Sequence, residues 1–261
     1  MDSLTGAPAE HAPRLPAATW ASIFVRLLAV QGSWNYEKLI GNGIAFSMEP
    51  ALRFVPGGKG GEAYRAALAR QGEYFNAHPY LAAVAVGALV RAELEGVPPA
   101  RIERFRAALC GPLGSVGDQL VWAGWLPFCS VLALAAYGLG ARPGAVIVLF
   151  LGVYNAGHFA LRAWGLHTGW RHGLRVAVAL AAPVLRRGPA HCARGVALVG
   201  GAAVPLALHR LSGGDEPGVA ILAAVAVGLA LLARAHGRVN GWQLALGALT
   251  ALVLFSVARH G

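Results

Sequence analysis

Charge is scarce in this chain. Of 261 residues, 13% are Asp, Glu, Lys or Arg, against about 25% in ordinary soluble domains, and that shortage argues against a water-solvated globule. Acids are scarcest, at 12 against 22 Lys and Arg. Cys110, Cys129 and Cys192 lie too far apart for a metal knuckle, and an odd three does not make a disulfide framework. They read as small buried apolar residues. There is no Walker loop, no His-Glu-x-x-His zinc helix and no Gly-x-Ser-x-Gly elbow. His167 and His172 stand five apart, a poor helical metal pair, and no histidine or cysteine has the context of a phosphate carrier. The expectation is therefore no catalytic residue, no metal and no cofactor. No nucleic-acid recognition module is visible either. Residues 1–19 are Pro/Ala-rich and lack the positive start and apolar run of a secretory leader, and 1–17 read as a disordered tail.

What the chain does have is apolar length. Hydrophobic residues make up 56%, and the run 119–141 contains no charge at all, enough to cross a bilayer. The fold class expected is an all-α integral membrane protein with about five transmembrane helices plus re-entrant and interfacial amphipathic helices. The spans are 119–141, 143–161, a short one at 195–208 that Arg194 and Arg210 could lengthen by snorkelling, 217–233 and 239–257. Residues 18–110 form the interfacial and re-entrant part, and 111–261 the transmembrane part. Within the former, 19–30 is helical but too short to cross. Residues 39–55 are broken by Gly41, Gly43 and Pro50, and 62–75 is amphipathic, ended by Pro79. The run 81–90 suits a buried or re-entrant helix, and Pro98-Pro99 opens another amphipathic helix with Ile102, Phe105 and Leu109 on one side. Residues 171–187 read as lying along the interface.

The seam between the two parts is 111–119, Gly-Pro-Leu-Gly-Ser-Val-Gly-Asp-Gln. Three glycines and Pro112 predict a turn that stops the preceding helix. Asp118 either caps the next helix or faces protein, water or a ligand, because a carboxylate beside a lipid-length run is otherwise costly. The net charge of +10 is concentrated after the seam, where 11 Lys/Arg face 3 Asp/Glu; before it the numbers are 11 and 9. Placing the stretches 162–194 and 234–238 in the cytoplasm puts eight arginines inside against three outside. The first part then lies at the cytoplasmic face and the C-terminus outside.

Uncharged hydrogen-bonding groups also sit at membrane depth. Asn155 and His158 are about one turn apart in the second span, and Asn76 and His78 precede the 81–90 segment. Such groups serve either as helix-to-helix glue and turn formers or as ligands for a neutral polyhydroxyl solute.

Three stretches, Gln31-Gly32-Ser33-Trp34-Asn35-Tyr36-Glu37, Phe75-Asn76-x-His78-Pro79 and Gly111-Pro112-Leu113-Gly114-x-Val116-Gly117-Asp118, occur in this order. They resemble the signature stretches of the IID component of mannose/fructose/sorbose-family phosphotransferase system sugar permeases. Asn155 with 165–173, and Val239-Asn240, resemble later family segments, so the likeness runs from about Phe24 to the C-terminus. The resemblance implies a bacterial inner-membrane, multi-pass subunit with a cytoplasmic N-terminus. It would pair with a IIC membrane subunit in a trimer of heterodimers, while cytosolic IIA and IIB relay phosphate to the incoming hexose or amino sugar. Asp118, Asn76, Gln31, Asn35, Asn155 and His78 are the candidate sugar-binding or partner-contacting residues. The chain departs from the family pattern in its short 212–216 loop, in Leu94 after Glu93 and in Gln119 after Asp118. A transport-inactive regulatory or structural protein that keeps the IIC-pairing surface is the alternative.

Overall fold

The computed structural model describes residues 14–213 and, beyond them, positions 227, 228, 234, 240, 243 and 247. Among these residues the regular structure is helical, and the only strand-like pairing is two isolated bridges, Asn35 with Leu39 and Leu39 with Phe75. The helices are α1 (Ala17–Leu28), α2 (Gly41–Leu52), α3 (Glu62–Gln71), α4 (Ala82–Leu94), α5 (Pro99–Gly117), a π-helical segment (Asp118–Trp125), α6 (Leu126–Gly138), α7 (Pro143–His172), a 3-10 turn (Gly173–Arg175), α8 (Ala177–Leu180) and α9 (Pro183–Leu211). Three of these runs are long and apolar enough to cross a membrane: Pro99–Gly138, Pro143–Arg175 and Pro183–Leu211. The second and third contain the expected spans 143–161 and 195–208 and extend them; the first covers 119–138 of the expected 119–141, beginning 20 residues earlier and ending at Gly138. The remaining two, 217–233 and 239–257, lie outside the described residues, as does most of the expected tail.

The expected turn at 111–119 does not form. Helix continues from Pro99 through Gly138, with Pro112 inside it. Pro112 removes one donor, yet α5 runs on to Gly117 with Leu113 and Gly117 buried, and the π-helical segment begins at Asp118. At 40 residues, this run has about twice the residues that a single crossing of a hydrocarbon layer needs. Asp118 is helical, exposed, and makes no side-chain cap bond, so the capping reading is replaced.

Gly41, Gly43 and Pro50 likewise do not break α2. A Cβ on Gly41 would lie 2.0 Å from the Glu73 carbonyl oxygen, and one on Gly43 1.8 Å from that of Val30. These glycines are points of close backbone approach. Residues 171–187 are divided among several elements: α7 ends at His172, short turns and α8 follow, and α9 starts at Pro183. Arg91 donates to the carbonyls of Trp170 (3.3 Å) and Arg171 (2.8 Å), satisfying groups that the end of α7 leaves open.

Two compact units divide the chain: residues up to Trp125 with Tyr154–Ala190, and Leu126–Val153 with His191 onward. The first is organised around α4, in which every residue from Ala82 to Val90 is buried. Its all-round apolar surface explains this, because no face of the run can be left in water. Against it pack Ile23 and Leu27 of α1, Ile44 and Met48 of α2, and Ile102 and Leu109 of α5. Gly87 of α4 and Gly169 of α7 sit where a Cβ would come within 2.3 Å and 2.1 Å of the opposing helix backbone. In the second unit Cys129, Ala133, Ala203 and Ala207 are buried. Arg210 turns onto the carbonyls of Tyr137 and Ala141 instead of extending away from the helix.

Candidate functional site

The three signature stretches converge in the first unit through backbone bonds. Asn35 Oδ1 accepts from the amides of Glu37 (3.1 Å) and Lys38 (2.8 Å), closing a turn that leaves Leu39 at a φ of 48°. The amide of Phe75 donates to the carbonyl of Lys38, and that of Ile40 to the carbonyl of Phe75, each at 3.2 Å. This clips the first stretch to the second. His78 then donates its amide to the Leu113 carbonyl at 3.3 Å, and its side chain occupies the space that a Cβ on Gly117 would need. So the second stretch lies on the third.

The loop between α3 and α4 is held from beneath by buried charge. Arg106, 4% exposed on α5, donates to the Gln71 side-chain oxygen at 2.5 Å and to the Glu73 carbonyl at 2.9 Å. The Gln71 amide donates to Glu93 at 2.7 Å, and Arg70 grips both oxygens of that carboxylate at 3.0 and 2.8 Å. Complementary charge and satisfied donors make this interior network tolerable.

Beyond His78 the loop delivers Tyr80 into an aromatic and basic cluster. The Tyr80 and Tyr154 hydroxyls share a hydrogen bond at 2.7 Å. Tyr80 stacks on His158 with ring centroids 4.2 Å apart, and the Arg162 guanidinium lies 5.0 Å over the Tyr80 ring. Arg162 Nε donates to His158 Nε2 at 2.7 Å. That assignment puts the His158 proton on Nδ1, where it meets Asn155 Oδ1 at 3.3 Å. Arg162 Nη1 also donates to the Leu27 carbonyl. His78 Nδ1 accepts the Tyr80 amide at 3.2 Å, and Trp122 of the π-helical segment lies 5.2 Å from its ring. Burial, and after it the positive Arg162, push the His78 imidazole from an ordinary 6.5 down to about 4. It is therefore neutral at physiological pH.

Of the expected residues, His78 and Asn155 enter this cluster and Asn35 shapes the clip beneath it. Gln31, Asn76 and Asp118 are exposed, and Asp118 makes no side-chain hydrogen bond among the described residues. Sequence reasoning missed Tyr80, Tyr154 and Arg162. Arg162 was counted as a loop charge for orientation, but α7 runs ten residues past it and leaves it 3% exposed. The signals available were Tyr80 directly after the His78-Pro79 motif and Tyr154 directly before Asn155.

Comparison with known proteins completes this picture. A family model described as the PTS system mannose/fructose/sorbose family IID component matches residues 14–201. The mannose-specific EIID component of Escherichia coli K12 is 32% identical over 163 residues, covering 59% of this chain and 55% of that protein. The fructose permease IID component of Bacillus subtilis 168 is 30% identical over 174 residues, covering 64% and 61%. The sorbose-specific EIID component of Klebsiella pneumoniae is 30% identical over 160 residues, covering 59% and 57%. The chain thus spans little more than half the length of the curated relatives it matches. Among solved structures, one described as a membrane protein superposes with a TM-score of 0.68 at 22% identity, over 94% of this chain and 98% of the other. A chain of the mannose transporter ManYZ in complex with microcin E492 gives 0.56 at 23% identity, over 94% and 97%. At these identities the likeness establishes the fold, an all-α membrane protein.

Proposed function

Because the chain belongs to the IID component family of mannose/fructose/sorbose phosphotransferase systems, we propose that it is the IID subunit of a sugar permease. It pairs with a IIC membrane subunit, in a trimer of such pairs, to import a hexose or amino sugar. Cytosolic IIA and IIB supply the phosphate that the sugar receives. The protein resides in the bacterial inner membrane with its N-terminus in the cytoplasm and itself carries no phosphate. Asp118, Asn76 and Gln31 offer exposed hydrogen-bonding groups to the sugar or to IIC, while Asn35, His78 and Asn155 hold the elements that present them.

The observation that carries this reading is the family match over residues 14–201, a span that includes both the clipped loops and the Asn155–Arg162 stretch of α7. The test is co-expression with IIC, IIA and IIB in cells lacking their own mannose-family permease. Phosphoenolpyruvate-dependent uptake of labelled hexoses and amino sugars is the expected result. Assembly with IIC but no uptake of any of them would replace the reading with a regulatory or structural role.

A further inference from the structure

α7 carries a buried positive charge that no acid among the described residues neutralises. Arg162 is 3% exposed, and both of its hydrogen-bond acceptors, His158 Nε2 and the Leu27 carbonyl, are neutral. The ion pairs of the described residues are made by Arg26, Lys38, Arg53, Arg70 and Arg91. Arg162 Nη2 donates no hydrogen bond among the described residues, yet it is not fully enclosed. A guanidinium withdrawn from water is costly unless an anion or a full set of acceptors offsets it. In the same unit Arg70 has the anion and Arg106 has bonds from both terminal nitrogens, whereas Arg162 has neither. The cluster holds a second unmatched donor. Since His78 Nδ1 accepts the Tyr80 amide, its proton lies on Nε2, which is buried and has no partner among the described residues.

The adjoining face of α7 shows what could supply the anion. Ala156, Ala160 and Ala163 are exposed there, beside Phe159, which packs partly on Phe24 and His158, and small apolar side chains let a second helix approach closely within a membrane. A neutral sugar would leave the charge uncompensated; a carboxylate offsets it and matches the guanidinium in shape.

We propose that Arg162 is an interchain ion-pair site, filled by a single carboxylate on an otherwise apolar helix of the paired membrane subunit. The inference rests on the IIC pairing proposed above and names the contact that fixes its register. A buried pair of this kind selects one alignment of two apolar helices, because every other alignment strands a charge in hydrocarbon.

The test uses the full chain co-expressed with the IIC subunit and extracted in mild detergent. Arg162→Met is expected to lower IIC recovery by more than about tenfold. Because that variant also loses the bonds to His158 and Leu27, Arg162→Lys provides an independent reading. Its amine, treated with the apolar carbodiimide dicyclohexylcarbodiimide, should form an amide with the facing carboxylate, and mass spectrometry of the joined peptides identifies it. A junction to an aspartate or glutamate in an apolar helix of IIC is the expected result. A junction to Asp215 or Glu216 of the same chain overturns the proposal, and so does an intact Arg162→Lys complex with no junction. If the wild-type chain recovers no IIC at all, the pairing reading itself fails and the inference falls with it.

Discussion

His78 and Gly117 are in contact so close that a Cβ on Gly117 would lie 2.1 Å from the Cβ of His78. Gly111 and Gly114, in the same helix, have nothing within 4 Å of such an atom. Gly117→Ala is therefore expected to cost about 1–3 kcal/mol through overpacking. Gly111→Ala and Gly114→Ala should be neutral or stabilising by about 0.5–1 kcal/mol, since alanine is the better helix former. Thermal melting of the three variants in one detergent separates them, and equal melting temperatures would refute the contact.

The Tyr80–Tyr154 hydroxyl pair ties the loop before α4 to α7. Tyr80→Phe and Tyr154→Phe should each destabilise by about 1 kcal/mol. The double variant should cost clearly less than the two effects combined, because the shared bond can be lost only once. Additive effects in denaturation would show that the hydroxyls act separately.

Acid should weaken the fold in two distinct windows. His78 takes a proton near 6.5 when unfolded but only near about 4 when folded. Its contribution is complete above about pH 6.5, shrinks as pH falls toward 4, and amounts to something on the order of 3 kcal/mol. His78→Gln should flatten that slope. Glu49, held below its ordinary 4.5 mainly by its hydrogen bonds with Arg53 against an opposing effect of burial, contributes stability that is lost only below about pH 4.5. Glu49→Gln should remove that lower step alone. Melting temperatures between pH 3 and 7.5 resolve the two.

Glu93 is 7% exposed and binds both Arg70 and Gln71. Glu93→Leu strands the arginine and the amide and should cost about 3–5 kcal/mol. A loss below about 1 kcal/mol would mean that water replaces the carboxylate.

Asp118 is exposed and makes no side-chain bond among the described residues. Asp118→Ala should leave the stability unchanged to within about 0.5 kcal/mol, while abolishing uptake in the co-expressed permease. Wild-type uptake in this variant would remove Asp118 from the proposed site.

Much of the candidate site was legible as sequence without being legible as geometry. The stretches around Asn35, His78 and Gly117 stand out by their residue order, but nothing in them shows that Phe75 pairs with Lys38 and Ile40 or that His78 rests on Gly117. The role of Glu93 as the acid of an interior network was equally hidden, since Arg70, Gln71 and Arg106 lie in two other helices.

Composition alone determined that this chain belongs in a membrane as a set of helices. Long uncharged runs cannot be solvated, and a backbone in lipid must satisfy its own hydrogen bonds. Those are local properties, readable one window at a time. Tertiary structure decided whether Pro112 and its glycines end a helix or lie within one, whether Gly43 is a break or a contact, and whether Arg162 is a loop charge or a buried one. Arg162 meets the carbonyl of a residue 135 positions away, and only the assembled fold specifies which segment lies against which side chain.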